Sequence, residues 1–147
     1  MLHGKTGVGK TLLLERLPVH LDLEGLAQHR SSLFGAIHKI PRTQKDFEAL
    51  LVQKLSELSE DLFLFVEGES RKVGQVFIPQ TFANAMKSGK LVLLSAELET
   101  RISRIVEEYN ICDAQSIQKI DVILQSLKVA LGKVKIEQLR LWLKQGE

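Results

Sequence analysis

The residues with the clearest chemistry stand near the start of the chain, where Gly4-Lys5-Thr6-Gly7-Val8-Gly9-Lys10-Thr11 satisfies the spacing G-x-x-x-x-G-K-[ST] throughout. This is the spacing of a loop that wraps an anion. Successive backbone N–H groups must curl round the charge without Cβ atoms in the way, which glycine permits. The apolar segment Leu12 to Leu17 behind the loop has helical character, and a helix start adds partial positive charge at the same place. All eight residues, Gly4 to Thr11, are therefore expected to bind phosphate. Lys10 should reach the terminal phosphate oxygens as a point charge, and the Thr11 hydroxyl should ligate a Mg²⁺ ion bridging them.

A phosphate loop also needs carboxylates nearby to hold the metal or a water. Asp22 and Glu24 follow one apolar run, and Glu67 and Glu69 follow another. Open α/β sheets bind ligands at the carboxyl ends of their strands, so these four acids converge on the loop if the strands are parallel. Glu67 directly follows the unbroken run LFLFV, the position in which P-loop proteins place their second-motif carboxylate. Two stretches are denser in chemistry than an ordinary solvated loop. One is DLEGLAQHRSSLFG (Asp22 to Gly35), with His29, Arg30 and two serines; the other is VEGESRKVG (Val66 to Gly74), with Ser70, Arg71 and Lys72.

The elements that must position these residues follow from the hydrophobic pattern. Val19 to Leu23, Leu62 to Val66 and Leu91 to Ser95 are strand candidates. Phe47, Leu50, Leu51, Leu55 and Leu58 recur at helical steps and predict an amphipathic helix over Gln44 to Leu58. A shorter helix should hold Phe82, Ala83 and Met86, and another Leu98, Ile102, Ile105, Val106 and Tyr109, with Arg101 and Arg104 on its opposite face. Ala114 to Lys144 reads as two helices hinged near Gly132. The predicted fold is α/β, a P-loop NTPase-like three-layer domain with a parallel sheet over residues 1–112 whose first strand is cut short. A helical C-terminal extension over residues 113–147 completes it.

Composition sets the outer bounds. The 147 residues, 44% hydrophobic and 26% charged, suit one ordinary globular domain. A net charge of +2 is too mild to announce nucleic acid by itself, so any RNA contact must come from local clusters. The single cysteine, Cys112, excludes an internal disulfide framework and a multi-thiolate zinc site, which fits a reducing compartment. No run approaches about 18 uninterrupted apolar residues, and no signal-peptide h-region opens the chain. These features read as a soluble cytoplasmic protein without membrane contact.

Together GKTGVGKT, DLEGLAQHRSSLFG, TQKDFEALL (Thr43 to Leu51) and VEGESRKVG followed by Ile78-Pro79 resemble the P-loop domain of tRNA 2-selenouridine synthase. The similarity runs from Gly4 through the helix ending near Tyr109, and more loosely through SLKVALG at Ser126 to Gly132. It implies a transferase that replaces the sulfur of wobble 2-thiouridine in tRNA with selenium from selenophosphate. It further implies geranyl diphosphate as a co-substrate and a geranylated intermediate. On that resemblance Lys10, Glu67 and Arg71 would be catalytic, Lys10 neutralising the leaving group. Asp22, Glu24, His29, Arg30, Glu69 and Ser70 would bind substrate. His38, Lys39, Arg42, Lys45, Lys128, Lys133, Lys135 and Arg140 are candidates to meet the tRNA backbone.

The chain also departs from that pattern. The family's rhodanese-like domain with its catalytic cysteine has no counterpart in this sequence, and Cys112 lies in the wrong region to replace it. Gly68 stands where a polar residue is expected. Only Met1 to His3 precede the loop, although the strand leading into such a loop is normally central in its sheet. The expectation is a longer two-domain enzyme, or a partner polypeptide that supplies the rhodanese-like portion. In either case this chain alone should bind phosphate ligands weakly and not complete selenation. Two other classes compete. A P-loop nucleotide or small-molecule kinase would use Arg101 and Arg104 to clamp a phosphoryl group, and a non-catalytic nucleotide-binding module would signal through the helical tail.

Overall fold

The computed structural model describes residues 1–58, 63–68, 70–111 and 113–146. Two compact units divide the chain, Met1–Glu108 and Tyr109–Glu147. Leu62, Glu69, Cys112 and Glu147, which figure in the sequence reading, lie outside the described residues.

In the first unit each expected strand contains a pairing of two residues: His20–Leu21 (β2), Phe65–Val66 (β3) and Val92–Leu93 (β6). Leu2–His3 forms β1 ahead of the glycine loop. β1 pairs in parallel with β6, matching Leu2 to Val92 and His3 to Leu93. β2 pairs in parallel with β3, matching His20 to Phe65 and Leu21 to Val66. A parallel bridge between Leu2 and Glu67 joins the two pairs, so the pairings run β2, β3, β1, β6. The backbone of β1 is engaged on both sides. Gly68 N–H donates to the Leu2 carbonyl, while Val92 N–H donates to Met1 O at 2.9 Å and Leu94 N–H to His3 O at 2.7 Å. Short, mostly parallel strands interleaved with helices make this unit mixed α/β.

β2 is short because the next residue already begins something else. Asp22 accepts from Gly25 N–H at 2.8 Å and caps a five-residue helix, Leu23–Ala27 (α2). Helix Gln44–Glu57 (α3) starts in the same manner, with Thr43 Oγ1 accepting from Asp46 N–H at 3.2 Å and donating to Asp46 Oδ2 at 2.7 Å. α3 buries Phe47 and Leu51, four residues apart on one face. Lys72–Val73 (β4) and Val76–Phe77 (β5) form an antiparallel hairpin that the sequence reading treated as a charged loop. Its turn contains Gly74 at φ 59°, a left-handed conformation that favours glycine. The Gln44 side-chain amide holds this hairpin to α3, donating to Phe77 O at 2.8 Å and accepting from Phe77 N–H at 2.7 Å. Helix Gln80–Ser88 (α4) contributes Ala83 and Met86 to a core shared with Leu21, Leu23, Phe47, Val66, Val73 and Ile78. Burial of these apolar side chains, at about 25 cal/mol per Å², is what holds the sheet and helices together. Helix Leu98–Tyr109 (α5) follows β6 and ends at the boundary between the units.

The second unit is helical: Ala114–Ser126 (α6), Lys128–Leu131 (α7) and Lys133–Gln145 (α8). Asp113 caps α6 by accepting from Ser116 N–H at 2.8 Å. Gly132, at φ 83°, separates α7 from α8. α6 packs on α8, and the Arg140 guanidinium clasps both carboxylate oxygens of Asp121 across them. Among the described residues no helix is long and apolar enough to cross a membrane.

Candidate phosphate-binding site

Between β1 and the short helix Lys10–Leu14 (α1) the chain turns through Gly7 at φ 79° and Gly9 at φ 90°. The turn from Lys5 to Val8, with Gly7 inside it, is closed by Val8 N–H donating to Lys5 O at 3.3 Å, and Gly9 becomes the residue on which α1 starts. A Cβ at position 7 would fall 2.6 Å from Arg101 O, so a larger residue would displace the loop. Lys10 folds its side chain back over this loop, its Nζ donating to Gly4 O at 3.1 Å. The next side chain points the other way: Thr11 Oγ1 donates to Glu67 Oε1 at 2.6 Å.

Glu67 is completely buried, and the bridge to Leu2 fixes its backbone beside β1. A buried carboxylate is costly to desolvate unless donors meet it, and the Thr11 hydroxyl is one such donor. The pair places a hydroxyl and a carboxylate at the mouth of the glycine loop, hard oxygen ligands of the kind Mg²⁺ takes together with phosphate oxygens and water. Among the described residues no cluster of three or more His, Cys, Asp or Glu is arranged to hold a metal ion by itself. Gly68, the apparent departure from the family pattern, has a physical reason. A Cβ there would lie 2.8 Å from Leu2 O and 3.0 Å from His3 Nδ1, so the close approach of this backbone to β1 favours glycine.

Two arginines of α5 meet the loop from outside. Arg101 Nε donates to Thr6 O at 2.9 Å, and Arg104 Nη1 donates to Val8 O at 2.8 Å. The kinase alternative would put them on a phosphoryl group; the structure places them on the loop's own carbonyls. Beside them opens a cleft of about 300 Å³, walled by Val8, Leu12, Leu13 and Leu94 and edged by Arg16 and Arg104. Leu12 and Leu13 are 53% and 37% exposed, although they sit in the apolar segment that the sequence reading assigned to a helix turn behind the loop. Three leucines in a row behind the loop, of which α1 buries Leu14, were the sign of this cleft in the sequence.

Of the other predicted site residues, those that the structure describes have structural partners elsewhere. Asp22 caps α2, and Glu24 accepts from Ser31 N–H. Arg30 pairs with Glu108 and donates to Ile37 O at 3.2 Å. The His29 ring is wedged against two glycines, since a Cβ would lie 2.3 Å from it at Gly74 and 2.6 Å at Gly35. Ser70 Oγ donates to Lys72 O at 2.7 Å, and Arg71 Nε lies 3.5 Å from Ile78 O, so both serve the hairpin. Arg42, a candidate for tRNA, donates to Leu26 O at 2.8 Å and Gly25 O at 3.2 Å at the end of α2. The structure thus joins Gly4 to Thr11 with Glu67, and gives the 22–30 and 70–71 residues structural partners of their own.

The family model described as the tRNA 2-selenouridine synthase AAA domain matches residues 1–145, the loop and Glu67 included. The chain belongs to this family. Among its curated relatives, the tRNA 2-selenouridine synthase of Hydrogenovibrio crunogenus is 45% identical over 111 residues, covering 74% of this chain and 30% of the relative. That of Nitrosomonas eutropha is 38% identical over 117 residues, again covering 74% of this chain and 30% of the relative. The matched region is therefore under a third of these synthases' length. No solved structure matches the chain.

Proposed function

We propose that this chain is the phosphate-handling part of a cytoplasmic tRNA-modifying transferase that replaces sulfur with selenium in wobble 2-thiouridine, through a geranylated intermediate. The observation that carries the reading is the Thr11–Glu67 hydrogen bond beside the glycine loop, with a cleft alongside that has Leu12, Leu13 and Leu94 on its walls and Arg16 and Arg104 at its edge. A prenyl diphosphate needs both: a cradle for the charged end and an apolar wall for the chain. The fold this implies is the three-layer P-loop NTPase-like domain, with Gly4 to Thr11 acting as a Walker A loop.

In this reading the thiocarbonyl sulfur attacks the first carbon of the geranyl group, and diphosphate leaves with the electron pair of the broken C–O bond. Lys10 neutralises the departing oxygens, and the loop's N–H groups hold the phosphates. Thr11 and Glu67 would hold Mg²⁺, which supplies further charge neutralisation when bound. The selenium of selenophosphate then attacks C2 of the same base, the geranylthiolate leaves with the electron pair of the broken C–S bond, and water takes the phosphoryl group from selenium as phosphate. A rhodanese-like domain and the tRNA are the implied partners.

The test is nucleoside mass spectrometry of 2-thiouridine tRNA incubated with the chain, geranyl diphosphate, selenophosphate, Mg²⁺ and a separately supplied rhodanese-like domain. Geranylated and selenated uridine formed by the wild-type chain, and neither by Lys10→Ala, supports the reading. ATP-dependent phosphorylation of a small acceptor with no modified nucleoside would contradict it.

A further inference from the structure

The glycine loop carries a conformational burden. Gly7 and Gly9 both sit at positive φ, and glycine segments lose more freedom on ordering than any other. An anion site built from such a segment is effective only if something else holds its shape before the ligand arrives. α1 is only five residues long, and its buried side chain is Leu14. The loop from Thr6 to Gly9 is also met by α5.

There the contacts are specific. Arg101 Nε donates to Thr6 O at 2.9 Å and Arg104 Nη1 to Val8 O at 2.8 Å, with Gly7 O 3.5 Å from the same Arg104 nitrogen. The Arg104 guanidinium also lies against Gly9, since a Cβ there would be 3.1 Å from Nη1. The peptide bonds are trans. In a trans peptide the carbonyl of one residue and the N–H of the next point in opposite directions. Pulling the Thr6 and Val8 carbonyls toward α5 therefore turns the N–H groups of Gly7 and Gly9 away from it.

We infer that Arg101 and Arg104 are positioning residues for the phosphate loop, acting through its carbonyls and not on the ligand. The inference rests on the phosphate reading of the loop given above and adds the device that keeps the loop ready. The neighbouring contact fits the same role, because Gly7 is packed closely enough on α5 that a Cβ would meet Ile105 at 3.1 Å. The cations meet the oxygen end of each peptide dipole, the end the anion must not see.

The experiment is amide hydrogen exchange on the ligand-free chain, followed by calorimetric titration with inorganic pyrophosphate, for wild type, Arg101→Ala, Arg104→Ala and Arg104→Lys. The expected result is faster exchange at Val8, whose N–H the ordered loop bonds to Lys5 O, in both alanine variants with Phe47 and Leu51 unchanged. A fall of about tenfold or more in pyrophosphate affinity should accompany it, with substantial recovery in Arg104→Lys, which keeps one donor of similar reach. Unchanged loop exchange with lost affinity would overturn the inference, because the arginines would then be touching the ligand. So would faster exchange at Val8, Phe47 and Leu51 alike, which would mark a general loss of stability. If the wild-type chain binds no pyrophosphate the phosphate reading falls, while loop exchange in the ligand-free variants still decides whether the arginines hold the loop.

Discussion

Thr11 and Glu67 are 56 positions apart in sequence and 2.6 Å apart between side-chain oxygens. The sheet makes this meeting: β1 leads into the loop that ends at Thr11, β3 leads into Glu67, and the Leu2–Glu67 bridge sets the two side by side. Glu67→Gln keeps the shape and an acceptor for the hydroxyl, so stability should change by no more than about 1 kcal/mol. Mg²⁺-dependent phosphate binding should nevertheless fall by about tenfold or more as the charge is lost. Urea titration and calorimetry with and without Mg²⁺ separate the two. A large loss of stability with unchanged Mg²⁺ dependence would make Glu67 a purely structural acid.

Asp22 offers the opposite expectation. Its carboxylate caps α2, and a Cβ on Gly25 would lie 2.1 Å from Oδ2, so cap and glycine are fitted to each other. Asp22→Ala should cost about 1 kcal/mol of stability, the usual loss of a cap, and Asp22→Asn much less. Pyrophosphate affinity at a temperature where both variants are folded should stay at the wild-type value. A collapse of affinity in a stable Asp22→Asn protein would return this residue to the substrate site.

The helical unit should show its own acid dependence. The hydrogen bonds from Arg140, opposed by partial burial, hold the Asp121 carboxyl below its ordinary range. A carboxylate depressed in the folded state contributes stability that is present above its unfolded value and lost as pH falls through its folded value. Exchange protection of α6 and α8 should therefore decline as pH drops below the ordinary aspartate range, and Asp121→Asn should flatten that part of the profile. An identical profile in the variant would show that the Asp121–Arg140 pair contributes nothing measurable, as exposed pairs often do not.

Much of this was legible in the sequence, and the rest failed for identifiable reasons. The apolar spacing around Phe47 and Leu51 gave α3 to within a residue, and the run before Glu67 marked its carboxylate as the one to meet the loop. α2 was invisible because five residues with a central glycine carry too little period, and the sign was instead Asp22 three residues ahead of Gly25. The hairpin at Val73 to Val76 was hidden by its charged neighbours, although Val-Gly-Gln-Val is itself a turn signal. Arg101 and Arg104 entered the sequence reading only as phosphoryl clamps of the competing kinase class, and only three dimensions show that they bond to the Thr6 and Val8 carbonyls. Gly68 looked like a missing ligand until its distance to Leu2 O was known.

The central claim is that the loop and its cleft take a prenyl diphosphate. The most direct measurement is a calorimetric and thermal-shift comparison of geranyl diphosphate, ATP and GTP, each with Mg²⁺, on the wild-type chain and on Lys10→Ala. A ligand that binds only the folded state raises its apparent stability with the logarithm of its affinity, so at equal concentration the preferred phosphate identifies itself. Geranyl diphosphate should bind at least about tenfold more tightly than either nucleotide, and Lys10→Ala should abolish the difference. Tight ATP or GTP binding with no response to geranyl diphosphate would contradict the account and make this loop a nucleotide site.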